Sequence, residues 1–179
     1  MYPHLWLKVW LLWVLATAFG VSLGLMLPAA NPLLLDAPLG IAVITGLLQA
    51  LVMGYLRLLR HTWLWVVVTG AGGCLHLWIF VWLKQAVLGG VISGCLLGLM
   101  QVLLLQNSPC RQLRWTSTQV LWVIVTGLSY GLGSFWVIYH QGVGGENPSW
   151  LLGLSAGGLA GTLKGAVLAS LVASPSKLK

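Results

Sequence analysis

The chain has 179 residues, of which 59% are hydrophobic and 6% are charged. An ordinary soluble domain carries about 25% charged residues, so the composition excludes a soluble globular fold and favours a membrane protein. The net charge of +7 comes from nine Lys and Arg residues against Asp36 and Glu146. All the basic residues except Lys8 and Lys164 lie outside the apolar runs, which disfavours nucleic acid as a partner and favours contact with lipid headgroups.

Six apolar runs are each long enough to cross the hydrocarbon core of a bilayer. The first could be mistaken for a cleavable signal, because small residues follow it. An internal repeat that includes this run argues against cleavage. We therefore predict an all-α integral membrane protein with six transmembrane helices in a single membrane domain, residues 1–179. The runs cover about 5–27, 38–56, 62–82, 86–105, 117–139 and 150–173.

The charged residues between the runs predict the orientation of the chain. Seven basic residues fall on one side of the membrane, whereas Lys84 and both acidic residues fall on the other. The positive-inside rule then places both termini in the cytoplasm. Tryptophans near the run ends suit the headgroup boundary. The seven basic residues are Lys8, Arg57, Arg60, Arg111, Arg114, Lys177 and Lys179, and the tryptophans are Trp6, Trp63, Trp82, Trp115 and Trp150.

A repeating pattern of residues suggests that the chain was built by duplication. Odd-numbered runs place a Thr four residues after a Trp, and even-numbered runs place a long polar residue three positions after a pair of small residues. Three hairpin repeats, about 5–56, 62–105 and 117–173, would be related by a pseudo-threefold axis along the membrane normal. The alternative is chance, since small residues are common in membrane helices. The positions are Trp13, Thr17, Trp65, Thr69, Trp122 and Thr126, then Ala42, Gly46, Gln49, Gly94, Gly98, Gln101, Gly157, Gly161 and Lys164.

The polar members of this pattern fall at similar depth in the inner half of the membrane. They are either polar contacts that hold neighbouring helices together or the lining of a ligand-binding pocket open to the cytoplasmic leaflet. The six residues are Thr17, Gln49, Thr69, Gln101, Thr126 and Lys164.

Lys164 departs from the pattern, because it occupies the place that holds Gln in the other two repeats. A Lys within a membrane helix costs about 2.5 to 3.5 kcal/mol on insertion scales, so its ammonium needs compensation. It could snorkel to the headgroups, point into the bundle, or bind an anionic ligand group. Its position one turn from Gly161 favours an inward direction.

The pattern resembles a group of uncharacterised multi-pass membrane proteins of cyanobacteria and related phototrophs. The stretches WVVVTGAGG, WVIVTGLSYGLG, GLLQALVMGYLRLLR and GLMQVLLLQ carry the likeness, which covers essentially the full chain. The resemblance implies a helical membrane fold and a thylakoid or plasma membrane location, and it implies no established activity.

Residues able to support catalysis are scarce. No predicted span contains Asp or Glu, which argues against an enzyme, a proton relay and a divalent-metal site. His76 replaces the small residues Gly24 and Gly133 of the other repeats. It could ligate the metal of a haem or chlorophyll, or donate a hydrogen bond across a helix interface.

These features predict a non-catalytic binding or accessory protein. Such a protein would pack against other membrane subunits or a second copy, or would hold a lipid, carotenoid or chlorophyll. A small-solute transporter, or the substrate-binding membrane component of an uptake system, is the alternative, on the basis of size. A retinal protein attached through Lys164 is disfavoured by the absence of a carboxylate counter-ion in the spans.

Overall fold

The structure is a computed structural model that describes residues 3–30, 37–59, 61–106, 117–142 and 149–173. Each predicted apolar run forms one α-helix, and the helix ends lie within three residues of the predicted ends. This confirms the prediction of an all-helical fold for the described residues. The helices are α1 (Pro3–Ala30), α2 (Ala37–Tyr55), α3 (Trp63–Leu83), α4 (Ala86–Gln106), α5 (Ser117–Gly142) and α6 (Ser149–Ala173).

The helix boundaries follow from local chemistry. Pro3 begins α1 and Pro38 lies in the first turn of α2, where a residue without an N–H is tolerated because the helix leaves those donors unpaired. The residues Arg57 and Lys84, just beyond α2 and α3, have positive φ angles of 52° and 51°. This left-handed conformation turns the chain out of the helix.

Four of the described helices, α1, α3, α4 and α6, contain stretches that are long and apolar enough to cross a membrane. The apolar stretch of α2 is shorter, Leu39–Tyr55. Helix α5 is less apolar, because residues such as Thr126, Ser129 and Tyr130 lie in its middle.

The six helices form a closed ring. Each helix contacts the helices before and after it in the chain, and α6 returns to contact α1; among the described residues no other pair of helices approaches closely. Near the chain ends, the Trp6 indole Nε1 donates a hydrogen bond to Ser170 Oγ at 3.4 Å. Large apolar side chains cover the outside of the ring, such as Leu51 and Trp82, which are 69% and 72% exposed.

Glycines of the even helices bring neighbouring backbones together. A Cβ atom at Gly94 of α4 would lie 2.7 Å from the Thr126 carbonyl oxygen of α5, and one at Gly157 of α6 would lie 2.8 Å from Ala18 Cα of α1. Small residues allow this close approach, which is how helices associate where lipid supplies no hydrophobic drive. By contrast, Gly133 of α5 and Gly158 of α6 have no neighbour within 4 Å of the same position.

The glycine that precedes each long polar residue contacts a threonine of the following helix. The Cβ position of Gly46 lies 3.0 Å from Thr69 Cβ, and that of Gly98 lies 3.1 Å from Thr126 Cβ. Gly161 of α6 stands in the same relation to Thr17 of α1, at 3.0 Å. These contacts set the threonines and the long polar side chains at one level of the ring.

Candidate functional site

Three tryptophans fill the centre of the ring at this level. Trp13 of α1, Trp65 of α3 and Trp122 of α5 are each 0% exposed. Their ring centroids are 5.7, 5.8 and 6.4 Å apart, with interplanar angles of 81°, 66° and 62°. Edge-to-face contacts of this kind place the positive edge of one ring against the negative face of another. We call these three residues the tryptophan cluster.

Gln49 connects two helices to the tryptophan cluster. Its Oε1 accepts a hydrogen bond from Trp65 Nε1 at 3.0 Å, and its Nε2 donates to Thr17 Oγ1 at 3.0 Å. The Thr17 hydroxyl itself donates to the Trp13 carbonyl oxygen at 2.8 Å, which leaves its oxygen free to accept. One amide on α2 thus joins α1 to α3.

Gln101 makes the same set of contacts one hairpin further along the chain. Trp122 Nε1 donates to Gln101 Oε1 at 3.2 Å, and Gln101 Nε2 donates to Thr69 Oγ1 at 3.4 Å. An indole N–H can only donate, which fixes the amide oxygen on the tryptophan side in both glutamines. The amide on α4 joins α3 to α5.

Lys164 occupies the corresponding place on α6, and here the hydrogen-bond pattern is broken. The residue is 5% exposed, so it is buried rather than snorkelling. Its ammonium lies over the ring of Tyr130, 5.0 Å from the centroid. Ammonium groups have no lone pair, so Lys164 cannot accept a hydrogen bond from an indole. Trp13 Nε1 is buried without a hydrogen-bond partner.

A narrow surface cleft, too tight in this structure to hold a water molecule, runs between α5 and α6 beside this position. Its lining is apolar except for Ser129, whose buried hydroxyl has no partner in the described structure. Trp136 Nε1 donates to Ser155 Oγ at 3.0 Å across the same pair of helices, nearer residues 142–149. The lining residues are Ser129, Leu132, Gly133, Trp136, Ala156, Leu159, Ala160 and Leu163.

His76 also contacts Tyr130. Its Nδ1 is 3.1 Å from Ser93 Oγ, and because that hydroxyl donates to the Gly89 carbonyl oxygen at 2.8 Å, its oxygen can accept from the imidazole. The imidazole also contacts the Tyr130 ring edge-to-face, with centroids 6.3 Å apart. The ring is therefore held by α4 and α5. Its suggested role as a tetrapyrrole ligand stays a prediction.

The structure brings Gln49, Gln101 and the first two threonines together, as their common depth predicted. Their partners on the tryptophan cluster were not predicted: the sequence marks Trp13, Trp65 and Trp122 as repeat positions, but their convergence depends on the rotation of each helix. The spacing of Trp and Thr on one face was the available signal. Tyr130 was missed, because no pattern distinguishes it, and Ser129, the small residue that follows Thr126 by three positions in the repeat, was not predicted as a site residue.

The described residues contain no group of three or more His, Cys, Asp or Glu side chains that could hold a metal ion. Cys74 is exposed and Cys95 is half-buried, and both are free thiols. Both acidic residues, Cys110 and the basic residues of its predicted loop lie outside the described residues.

Comparisons with known proteins give no relative, since no protein-family model, no curated protein and no solved structure matches the chain. The resemblance to proteins of phototrophs stays a prediction, and the function has to be argued from geometry.

Proposed function

We propose that the chain is a non-catalytic integral membrane protein that binds a membrane amphiphile in the cleft between α5 and α6. In this proposal all six helices span the bilayer and both termini are cytoplasmic. The exposed apolar exterior and the four helices of spanning length support a membrane location. Because α2 and α5 lie in one ring with those four, they would cross the membrane alongside them.

We also propose that three duplicated hairpins make up the ring. The two matching sets of contacts from Gln49 and Gln101 support this, because each links a Trp and a Thr of flanking odd helices. The glycine–threonine contacts occur three times and support it further. The third hairpin would then have lost the glutamine and gained Lys164.

One observation carries the binding proposal: the break in the hydrogen-bond pattern lies beside the open cleft. Among the described residues, Trp13 Nε1 and Ser129 Oγ are buried without partners, and the buried Lys164 ammonium lies over the ring of Tyr130, the residue that follows Ser129. Buried polar groups are normally satisfied, and each exception needs an explanation. An amphiphile would supply polar atoms to these groups while its chain lies in the apolar cleft.

The proposal is tested by a substitution that fills the cleft with a side chain. Gly133 lines it and has no neighbour within 4 Å of its Cβ position, so Gly133→Leu should occupy the cleft without moving a helix. Gly158→Leu is the matched control, because Gly158 is equally open but does not line the cleft. Each protein is purified in a mild detergent, and bound molecules are extracted and quantified by mass spectrometry.

We expect wild-type protein and Gly158→Leu to retain a near-stoichiometric amphiphile, and Gly133→Leu to lose at least nine-tenths of it. An absorption spectrum of the same samples separates a carotenoid or chlorophyll from a colourless lipid. Equal amounts of bound amphiphile in the two variants, or none in the wild type, would refute the proposal.

A further inference from the structure

We propose that the polar end of this amphiphile is the carboxylate of a single-chain acid, bound by the Lys164 ammonium and the Trp13 indole N–H. The inference rests on the proposed function and names the class of ligand.

The position that Lys164 occupies lacks a hydrogen-bond acceptor. In the two complete sets of contacts, an amide oxygen accepts the indole proton. At the third position, on α6, both Lys164 and the Trp13 indole are hydrogen-bond donors, so a ligand has to supply the acceptor. A carboxylate has two oxygens, one for each donor, and bonds from a charged donor are about twice as strong as neutral ones.

Lys164 lies close to the part of α1 that carries Trp13. Gly161 and Gly165 flank Lys164 on α6, and both contact the Trp13 region of α1. The Cβ position of Gly165 is 3.4 Å from Trp13 Cβ, and that of Gly161 is 2.9 Å from Val14 Cα. Lys164 is therefore at the level of Trp13, and Leu163 beside it lines the cleft.

The positive charge of Lys164 has no carboxylate partner within the six helices. None of the six helices contains Asp or Glu, so no carboxylate within the helices can neutralise Lys164. The Tyr130 ring provides a cation–π contact, which compensates an ammonium only in part. Intramembrane cations are normally paired. A ligand with one negative charge would complete the pair.

The depth of Lys164 in the membrane favours a carboxylic acid over a phospholipid. Lys164 lies 15 residues after Ser149 and nine before Ala173, or about 22 and 14 Å from the ends of α6. The hydrocarbon core is about 30 Å thick, so this is well inside it. A phospholipid would have to bring its whole phosphate headgroup to that depth, whereas an acid with one chain brings two oxygens.

The alkyl chain of the ligand would lie in the cleft between α5 and α6. Leu132 and Leu159 flank the cleft and are 44% and 48% exposed, so their side chains can rotate outward to admit an alkyl chain. Gly133 adds no side chain to the wall. The apolar lining then covers the chain beyond the carboxylate, with Leu163 at the Lys164 end.

The test measures binding of three single-chain ligands to delipidated full-length protein in detergent: palmitate, hexadecanol and palmitoyl lysophosphatidylglycerol. Palmitate should bind at least tenfold more tightly than either of the others. Lys164→Gln should remove the preference for palmitate over hexadecanol, since the amide also supplies Trp13 with its missing acceptor. Trp13→Phe should weaken palmitate binding five- to tenfold and keep the preference.

The matched control is Lys8→Gln. Lys8 also has a cation–π contact, 4.8 Å from the Tyr55 centroid, but it is exposed and lies where α1 meets α2, whereas the cleft lies between α5 and α6. This variant should bind palmitate like the wild type. Thermal unfolding of each variant identifies any that has failed to fold.

The outcomes separate the two proposals. If wild type binds palmitate and hexadecanol equally and Gly133→Leu binds neither, the cleft is a binding site and the carboxylate inference is wrong. A preference for the lysophospholipid, or a preference for palmitate that survives in Lys164→Gln, also overturns the inference. If none of the three ligands binds the wild type, the carboxylate inference fails, and the amount of amphiphile extracted from purified wild type and Gly133→Leu still decides the proposed function.

Discussion

A buried indole N–H has one proton to donate and no lone pair, so only an acceptor can satisfy it. Gln49 and Gln101 provide that acceptor for Trp65 and Trp122, and they use their amide N–H to bond a threonine on the other side. Replacing the amide by an ammonium, as at Lys164, keeps a long polar side chain and removes the acceptor.

Gln101→Leu should therefore destabilise the protein. The change leaves Trp122 Nε1 buried without a partner and removes the bond to Thr69, which costs about 1 to 3 kcal/mol. The matched control is Gln106→Leu on the same helix, because Gln106 Nε2 already lacks a partner. Thermal unfolding in detergent should show a lower midpoint for Gln101→Leu and little change for Gln106→Leu. Equal midpoints would mean that the amide contacts contribute nothing to stability.

At the scale of helices, the seams of the ring differ in how closely the backbones approach. Glycines bring α4 against α5 and α6 against α1, where a Cβ would meet backbone atoms within 3 Å. On α5 and α6, Gly133 and Gly158 face open space. The cleft lies between these two helices, so the site is found at the seam with the least backbone contact.

Two adjacent glycines on α6 should respond to alanine with opposite signs. Gly157→Ala places a methyl group 2.8 Å from Ala18 Cα and has to push α6 away from α1, at a cost of about 1 to 3 kcal/mol. Gly158→Ala meets nothing and should stabilise the helix by up to about 1 kcal/mol, because alanine restricts the unfolded chain. The measurement is the unfolding midpoint of each variant. Two shifts of the same sign would contradict the assigned helix contacts.

Sequence reasoning predicted the helices well, because each apolar run is bounded by charged residues, proline or polar clusters that cannot remain in the same environment. It could not predict the tryptophan cluster, since Trp at a regular position suits either the headgroup boundary or a core until the rotation of each helix is known. The burial of Lys164 was predicted from Gly161 one turn away, whereas its contact with Tyr130 depends on a neighbouring helix that no spacing identifies.

At the scale of the whole molecule, the ring closes through its first and last helices. Trp6 of α1 contacts Ser170 of α6, so the start of α1 and the end of α6 lie at the same end of the bundle. The other close approaches between helix backbones in the described structure join neighbours in the chain, and the tryptophan cluster links α1, α3 and α5 through side chains. In a ring of this kind any hairpin could come first in the sequence, provided that each hairpin keeps its orientation in the membrane.

Circular permutation tests this view. Joining residue 179 to residue 1 leaves eight residues between Ala173 and Pro3, enough to reach about 26 Å when extended. Opening the chain between residues 60 and 61 puts the new ends on the basic side and keeps every helix contact. We expect this permutant to insert, to unfold near the wild-type midpoint and to bind palmitate. An impermeant maleimide should label Cys110 from the cytoplasmic side only.

Opening the chain between Lys84 and Gln85 is the control, because it cuts the two-residue connection between α3 and α4 at the opposite end of the bundle. Its new N-terminus would have to cross the membrane ahead of α4, and only Arg111 and Arg114, which follow that helix, would orient it. This permutant should insert poorly. Equal insertion of both permutants, or labelling of Cys110 from outside, would contradict the proposed orientation. Failure of the first permutant alone would show that α1 has to precede α6 for the ring to close.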